Sequence, residues 1–384
     1  CVDDGALLRV DPDDWSTQLL ASVGDAPLSV CEAGGAVYFL SATTRGRLVN
    51  GRARPWGLEP PASPLVSRVD GQLPAGRYQV AITVESDGLE SGSRRATTIE
   101  LATPGALQVT PGSLDADAEL VNLYCSDTNG RELYHVGAYS AAAAPWVISQ
   151  VGVSTDLLDG FNVYPPPYGH RVRLFKGRLL VAAGAALYWS EPLAFHRFRI
   201  DRDLQLRDEA IALLEPTLDG FYLATRSALW WVGGDDPESW APVELAREQV
   251  PLGDALRVPG SALPALETTS PVLLWASARG FMAGLPGGQV RALTDGRVVM
   301  PAHGSATLAY REEDGLRQVL LALREQQAGG SRLASTDVAT CEVIKASAVT
   351  HEQLLVSDGA GGFEPLLVDD GAGGTEPLMV LKEA

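Results

Sequence analysis

The sequence predicts an all-β protein: a discontinuous β-propeller-like body, an inserted β-sandwich and a C-terminal β-hairpin arm. Three observations carry this expectation. Short apolar stretches alternate throughout with turns rich in Gly, Asp, Asn and Pro, including 40 glycines and 25 prolines in 384 residues. Helical periodicity is scarce, and the best helical window, Arg317 to Gln327, fits a buried strand about as well. A 12-residue unit is duplicated near the C-terminal end.

In chain order, residues 1–64 read as the first part of the body. Ala6-Val10, Leu19-Val23, Ala36-Leu40 and Arg47-Val49 are strand pieces, each followed by a turn signal. The cluster Pro55, Pro60, Pro61 and Pro64 lacks backbone donors and cannot continue a central strand, so it marks a boundary. Residues 65–148 form a different module. Tyr78, Val80, Ile82 and Val84 fall on one face of a strand and Gln79, Ala81 and Thr83 on the other, the pattern of a half-buried antiparallel strand. The turn Glu85-Ser86-Asp87-Gly88 follows, and Thr128-Asn129-Gly130 is a hairpin signal. Six or seven short strands in this span have the size and texture of a sandwich.

Residues 149–330 return to apolar hairpins and are read as the remainder of the propeller-like body. Arg171-Phe175 turns at Lys176-Gly177 into Arg178-Ala183, and Asp219-Gly220 opens Phe221-Thr225. Val272-Ala276 and Gly280-Ala283 repeat the theme. Such strands are too apolar to keep one wet face, so they must stack between neighbours, as propeller blades do. Residues 331–384 form the arm. There Leu354-Leu355-Val356-Ser357-Asp358-Gly359-Ala360-Gly361-Gly362-Phe363-Glu364-Pro365 is followed by a copy that differs only at positions 369 and 375. It reads as strand, Gly-rich turn, strand, twice. A chain end of short strands cannot bury both faces alone. Residues 350–384 are therefore expected to pack on, or add strands to, a neighbouring subunit, and their deletion to impair assembly more than folding.

Composition narrows the function classes. The length suggests two or three domains, and 20% charged residues with 46% apolar residues is a folding composition. A net charge of −18 repels nucleic acid and anionic lipid. Only three of the 30 basic residues are lysines (Lys176, Lys345, Lys382), and no basic stripe tracks a phosphate backbone. No nucleic-acid partner is expected. No apolar stretch has the length of a membrane helix, so no membrane insertion is expected either. The chain opens at Cys1 without a signal-peptide pattern, which points to a processed or longer precursor. Cys1, Cys31, Cys125 and Cys341 are far apart and form neither a disulfide framework nor a zinc knuckle, which fits assembly in a reducing cytoplasm. Cys125, in the run Leu120 to Cys125, reads as a small buried hydrophobe.

Catalytic constellations are not found. There is no GxSxG, Walker or HExxH motif and no repeated Ser-x-Asp-x-Gly-x-x-Trp box. His135, His170, His196, His303 and His351 are scattered, without a second ligand at metal spacing. Asp235-Asp236-Pro237-Glu238 and Glu312-Glu313-Asp314 read as solvated loop tips. The Asp358 and Asp370 turns are Gly-rich and acidic, as calcium-binding turns are, but a 12-residue period supplies too few oxygens per turn. The pairs Tyr188-Trp189, Phe221-Tyr222 and Trp230-Trp231 read as strand core rather than sugar platforms. No catalytic residue, cofactor or metal is expected, and the chain is read as a non-enzyme.

Several segments resemble structural proteins of tailed bacteriophages and prophages. They are Val37-Tyr38-Phe39 with Arg52-Ala53-Arg54-Pro55-Trp56-Gly57; Gly76 to Thr83 with Asp87-Gly88-Leu89-Glu90-Ser91-Gly92, continuing through Asn122-Leu123-Tyr124 and Asn129 to Tyr134; Arg171 to Ala182 with Leu187 to Leu193; and Asp219-Gly220-Phe221-Tyr222 with Gly233 to Pro237. The second segment resembles the fibronectin-type-III-like insert of these proteins, which makes the sandwich Ig/FnIII-like. The resemblance covers roughly residues 37–240 and implies a virion component of the tail or its tip or baseplate. It would be assembled in the bacterial host cytoplasm, with other tail proteins and copies of itself as partners. A host-receptor or surface-glycan-binding tail module is the alternative, and a polysaccharide-degrading propeller hydrolase comes third.

Overall fold

The computed structural model is all-β. It describes residues 2–245, 247, 250–263, 266–294, 304–313, 316–325 and 339–344, and beyond these the strand backbones at 350–353, 355–357, 363–365, 367–369, 375–377 and 379–382. The chain divides into two compact units, Cys1–Leu206 and Arg207–Ala384.

The first unit opens with a three-stranded sheet of β1 (Val2–Asp3), β2 (Ala6–Val10) and β3 (Thr17–Ser22). An antiparallel meander follows: β4 (Ser29–Ala33), β5 (Ala36–Leu40), β6 (Arg45–Val49) and β7 (Arg52–Arg54). Its tight turns at Gly34-Gly35 and Asn50-Gly51 both use positive φ, the geometry that matches strand twist. Strand β5 is apolar on both sides. Phe39 packs with Leu7 and Val23, whereas Tyr38 and Leu40 face Val172, Val181 and Phe198.

The module after the proline cluster is two antiparallel sheets. Its strands are β8 (Leu65–Leu73), β9 (Gly76–Ser86), β10 (Leu89–Glu90), β11 (Thr97–Leu101), β12 (Gly105–Thr110), β13 (Leu120–Ser126), β14 (Leu133–Ser140) and β15 (Trp146–Ile148). One sheet has the order β15-β12-β8. The other runs β9-β13-β14, with β10 and β11 pairing β9. Tyr78, Val80, Ile82 and Val84 of β9 and Val121, Leu123 and Cys125 of β13 interdigitate with Leu107, Val109, Trp146 and Ile148. Each fully buried aliphatic side chain here contributes about 1.5–3 kcal/mol. The Asp87-Gly88 turn takes positive φ at both residues. Asn129 is also left-handed, and its Oδ1 accepts the Arg77 N–H at 3.0 Å.

The alternation in β9 predicts one wet face, and here the structure differs: Ala81 and Thr83 are as buried as their inward neighbours. The cause lies in the topology. Strands β8 and β15 both pair antiparallel with β12, so they run in the same direction, and the chain leaves the module at the end opposite to where it came in. It must return. Residues 149–170 do so without forming a strand, and Leu158 packs on Ala81, Tyr124 and Leu133. Backbone bonds tack this cover down: His135 N to Asp156 O, Leu158 N to Leu133 O, and Asn162 N to Ser93 O. At Gly92 the approach is so close that a Cβ would collide with the Val163 carbonyl.

The return segment delivers a second meander, β16 (Arg171–Phe175), β17 (Arg178–Ala183), β18 (Ala186–Glu191) and β19 (Ala194–Phe198), with β20 (Leu204–Leu206) pairing β18. Lys176-Gly177 forms a positive-φ hairpin turn. The β16 strand lies beside β4, where Ser29 Oγ accepts the Val172 N–H at 3.0 Å.

The second unit stacks three sheets. The first is the meander β21 (Leu213–Pro216), β22 (Gly220–Ala224), β23 (Leu229–Gly233) and β24 (Ala241–Glu244). The second is the meander β25 (Leu256–Val258), β26 (Val272–Ser277), β27 (Gly280–Gly284) and β28 (Val290–Ala292). The third comprises β29 (Gly304–Glu313), β30 (Leu316–Glu325) and β31 (Ala339–Ile344), so the ambiguous window from Arg317 is a strand. Every residue of β22, β26 and β27 is buried. Period two explains why. Leu273 and Trp275 of β26 face Tyr222 and Trp231, while Val272, Leu274 and Ala276 join the cluster of Ala306, Val319 and Leu321.

Six short strands close the chain: β32 (Thr350–Gln353), β33 (Leu355–Ser357), β34 (Phe363–Pro365), β35 (Leu367–Asp369), β36 (Thr375–Pro377) and β37 (Met379–Lys382). They form three two-stranded ribbons, β33–β34, β35–β36 and β32–β37. The duplicated unit is thus a strand pair twice over. The candidate calcium turns at 358–362 and 370–374 lie outside the described residues, as does Asp314.

Candidate functional site

A dense polar constellation lies in the first unit, where the sandwich meets the meanders. Glu191, at the end of β18, accepts from Arg197 Nε at 2.6 Å and from Arg199 Nε at 2.8 Å. Arg197 also donates to the Asp159 carbonyl and pairs with its carboxylate at 3.6 Å. Burial opposes ionisation of Glu191, but the hydrogen bonds and charges of Arg197 and Arg199 outweigh it and hold the carboxyl below its usual value. Next to it His196 is pushed down to about 4, first by burial and then by the Arg197 charge, so its imidazole is neutral.

The network continues on the sandwich. Glu90 Oε1 accepts from Tyr124 Oη at 2.8 Å and from Thr83 Oγ1. Burial, and then the Glu90 charge, raises the Tyr124 hydroxyl above its ordinary range. Arg47 Nη2 reaches Asp87 Oδ2 at 2.8 Å while its Nε donates to the Pro55 carbonyl. Trp56 anchors the other side: its indole is buried and donates to the Phe195 carbonyl at 2.8 Å. These groups hold one another. Glu191 has both oxygens occupied by guanidinium, and Arg197 carries that pairing on to Asp159 of the return segment.

Among the described residues, no group of three or more His, Cys, Asp or Glu is placed to hold a metal. No helix is long and apolar enough to cross a membrane. Cys125 is a free thiol. Cys125 is buried, and burial pushes its thiol up to about 12. His135 stacks edge-on to Tyr124, ring centroids 5.4 Å apart. Asp236 caps a 3-10 turn at Pro237–Ser239, and Glu312 accepts from Tyr310 and Arg317 within β29 rather than at a loop tip.

The aromatic pairs divide by face. Phe221 and Tyr222 are fully buried and Trp189 and Trp231 nearly so, while Trp230 carries the Arg207 guanidinium over its ring at 5.1 Å. A different aromatic is left open. Trp15 sits at the β2–β3 hairpin tip with φ of 59° and is 78% exposed. Asp11 and Asp14 fix that tip by accepting the Asp13 and Ser16 N–H groups. Sequence reasoning missed both Trp15 and the Glu191 network. The Asp-Pro-Asp-Asp-Trp run was the available signal for the first; the second joins residues that no local pattern links.

No protein-family model matches this chain, and no curated protein matches it.

Proposed function

We propose that this chain is a structural component of a bacteriophage virion, in the tail or its tip or baseplate, working through protein–protein assembly rather than catalysis. The observation that carries the proposal is where the resembling segments fall. Arg54-Pro55-Trp56-Gly57, Gly76 to Thr83, Arg171 to Ala182 and Asp219 to Tyr222 supply a buried anchor, a central sandwich strand and two sheet hairpins.

The finer fold reading belongs to the same proposal. Four four-stranded meanders, two in each unit and apolar on both faces at β5, β22, β26 and β27, have the texture of propeller blades. Seven principal strands split three and four between two packed sheets match an Ig/FnIII-like sandwich in size. Mass spectrometry of purified particles from a lysate carrying this gene tests the function: the chain is expected at stoichiometric abundance, and its absence from particles would sink the reading. A host-receptor or glycan-binding role is the second reading, and exposed Trp15 at its hairpin tip favours it. Trp15→Ala would then abolish particle adsorption while leaving particle assembly intact.

A further inference from the structure

The three C-terminal ribbons share one register. In β33–β34, Leu355 faces Pro365, Val356 faces Glu364 and Ser357 faces Phe363. Twelve residues on, in β35–β36, Leu367 faces Pro377, Val368 faces Glu376 and Asp369 faces Thr375. In the third ribbon, Met379 faces Gln353, Val380 faces Glu352 and Leu381 faces His351. The sequence repeats in step with this. Leu378-Met379-Val380 opens a third copy of the unit begun at Leu354 and Leu366, and His351-Glu352-Gln353 stands where Phe363-Glu364-Pro365 and Thr375-Glu376-Pro377 stand. The third unit is therefore cut in two: its second half precedes the first repeat and its first half follows the last. Two ribbons close locally over residues 358–362 and 370–374. The third closes only by bringing β37 back to β32 across residues 354–378.

We infer that this third ribbon is an exchangeable clasp through which copies of the chain join, Met379–Lys382 of one copy pairing with Thr350–Gln353 of another. The backbone bonds are the same whether the partner strand belongs to the same chain or to a second copy, so exchange sacrifices no pairing. What differs is closure of one chain's own loop, whose entropic cost changes slowly with loop length, against association of two copies, which concentration favours. Register degeneracy among equivalent strands favours the exchange. A lone two-stranded ribbon is marginal in water, which favours assembly of several. One residue distinguishes the clasp from the other two ribbons. Pro365 and Pro377 have no backbone N–H to offer an incoming strand, while Gln353, at the equivalent place, has one.

The inference rests on the assembly reading above in taking copies of one chain to meet. Directly opposed residues of an antiparallel pair stand within disulfide reach. The full chain, with Cys1, Cys31 and Cys341 replaced by Ser and the buried Cys125 retained, is prepared as Glu352→Cys and, separately, as Val380→Cys. The two are mixed, unfolded, refolded together and oxidised. The expected product is a disulfide dimer at twice the 40.6 kDa chain mass whose digest contains the 352–380 linkage. The double variant carrying both cysteines reports on the clasp within one chain. A 352–380 disulfide found solely inside monomers, with none in the mixture, overturns the exchange; absence of that disulfide from both overturns the clasp itself. Light scattering of the unsubstituted protein separates the two readings. Association without the 352–380 link defeats the clasp alone, whereas a monomer at every concentration defeats self-assembly as well.

Discussion

The sandwich of the first unit and the stacked sheets of the second solve the same problem differently. Both must cover two faces of a strand layer. In the sandwich, β9 buries one face in an apolar core and has the other sealed by an irregular segment together with Glu90, Tyr124, Arg197 and their partners. In the second unit, β26 is covered on both sides by other sheets, and Tyr222, Trp231 and Trp275 fill the gap on one side. Directional polar bonds position the first cover, and shape complementarity the second. The two regions should therefore respond to different perturbations.

The largest effect is expected from Trp275→Ala. The indole is fully buried between two sheets, and its loss should cost about 3–5 kcal/mol. Hydrogen exchange should show protection lost in peptides from 207–294 and retained in 65–148; equal loss in both would break the comparison. Arg197→Met comes next. It leaves Glu191 with Arg199 alone, at a cost of about 2 kcal/mol, between exposed and fully buried pairs. Acid should act on the same seam. Because Glu191 is held below its ordinary value, its pairing stabilises the fold at higher pH and is lost as pH falls below 4.5. His196 adds to this over a higher window. The unfolded chain takes up a proton near 6.5 that the folded imidazole refuses until about 4, so stability should fall across that interval. His196→Gln should flatten that part of a urea-denaturation series over pH, and an unchanged slope would remove His196 from the account. The smallest effect is expected from Tyr222→Phe, about 1–2 kcal/mol. Its hydroxyl lies 2.7 and 2.8 Å from the Leu285 and Gln289 carbonyls, and thermal unfolding should report the loss. A larger loss than for Trp275→Ala would mean that polar bonds, not packing, govern the second unit.

Much of the strand layout was legible because it is local. Asp87-Gly88 and Lys176-Gly177 announce hairpins through the positive φ they tolerate, and Ala36-Leu40 and Arg171-Phe175 have the strand limits their composition implies. The apolar runs at Phe221 and Val272 implied strands with two covered faces, and they have them. What stayed hidden depends on distant partners. Nothing in residues 149–170 has a period, so their role as the outer cover of β9 could not be read from spacing. The Arg197–Glu191–Arg199 group was equally silent, since Arg and Glu near a turn are ordinary surface residues until Asp159 is brought beside them. The duplicated unit was plain, but the half-units that make the β32–β37 clasp became visible only through register.

The direction of β8 and β15 has a mechanical consequence. A pull on the chain at residues 65 and 148 draws these two strands lengthwise in opposite senses, with β12 between them. The hydrogen bonds on both sides of β12 then bear load together, in shear, instead of parting one after another as in a peeled hairpin. Force passing along the chain reaches residue 148 only through the return segment, so the bonds that tack residues 149–170 to the sandwich must part before its sheets are loaded in their stiff direction.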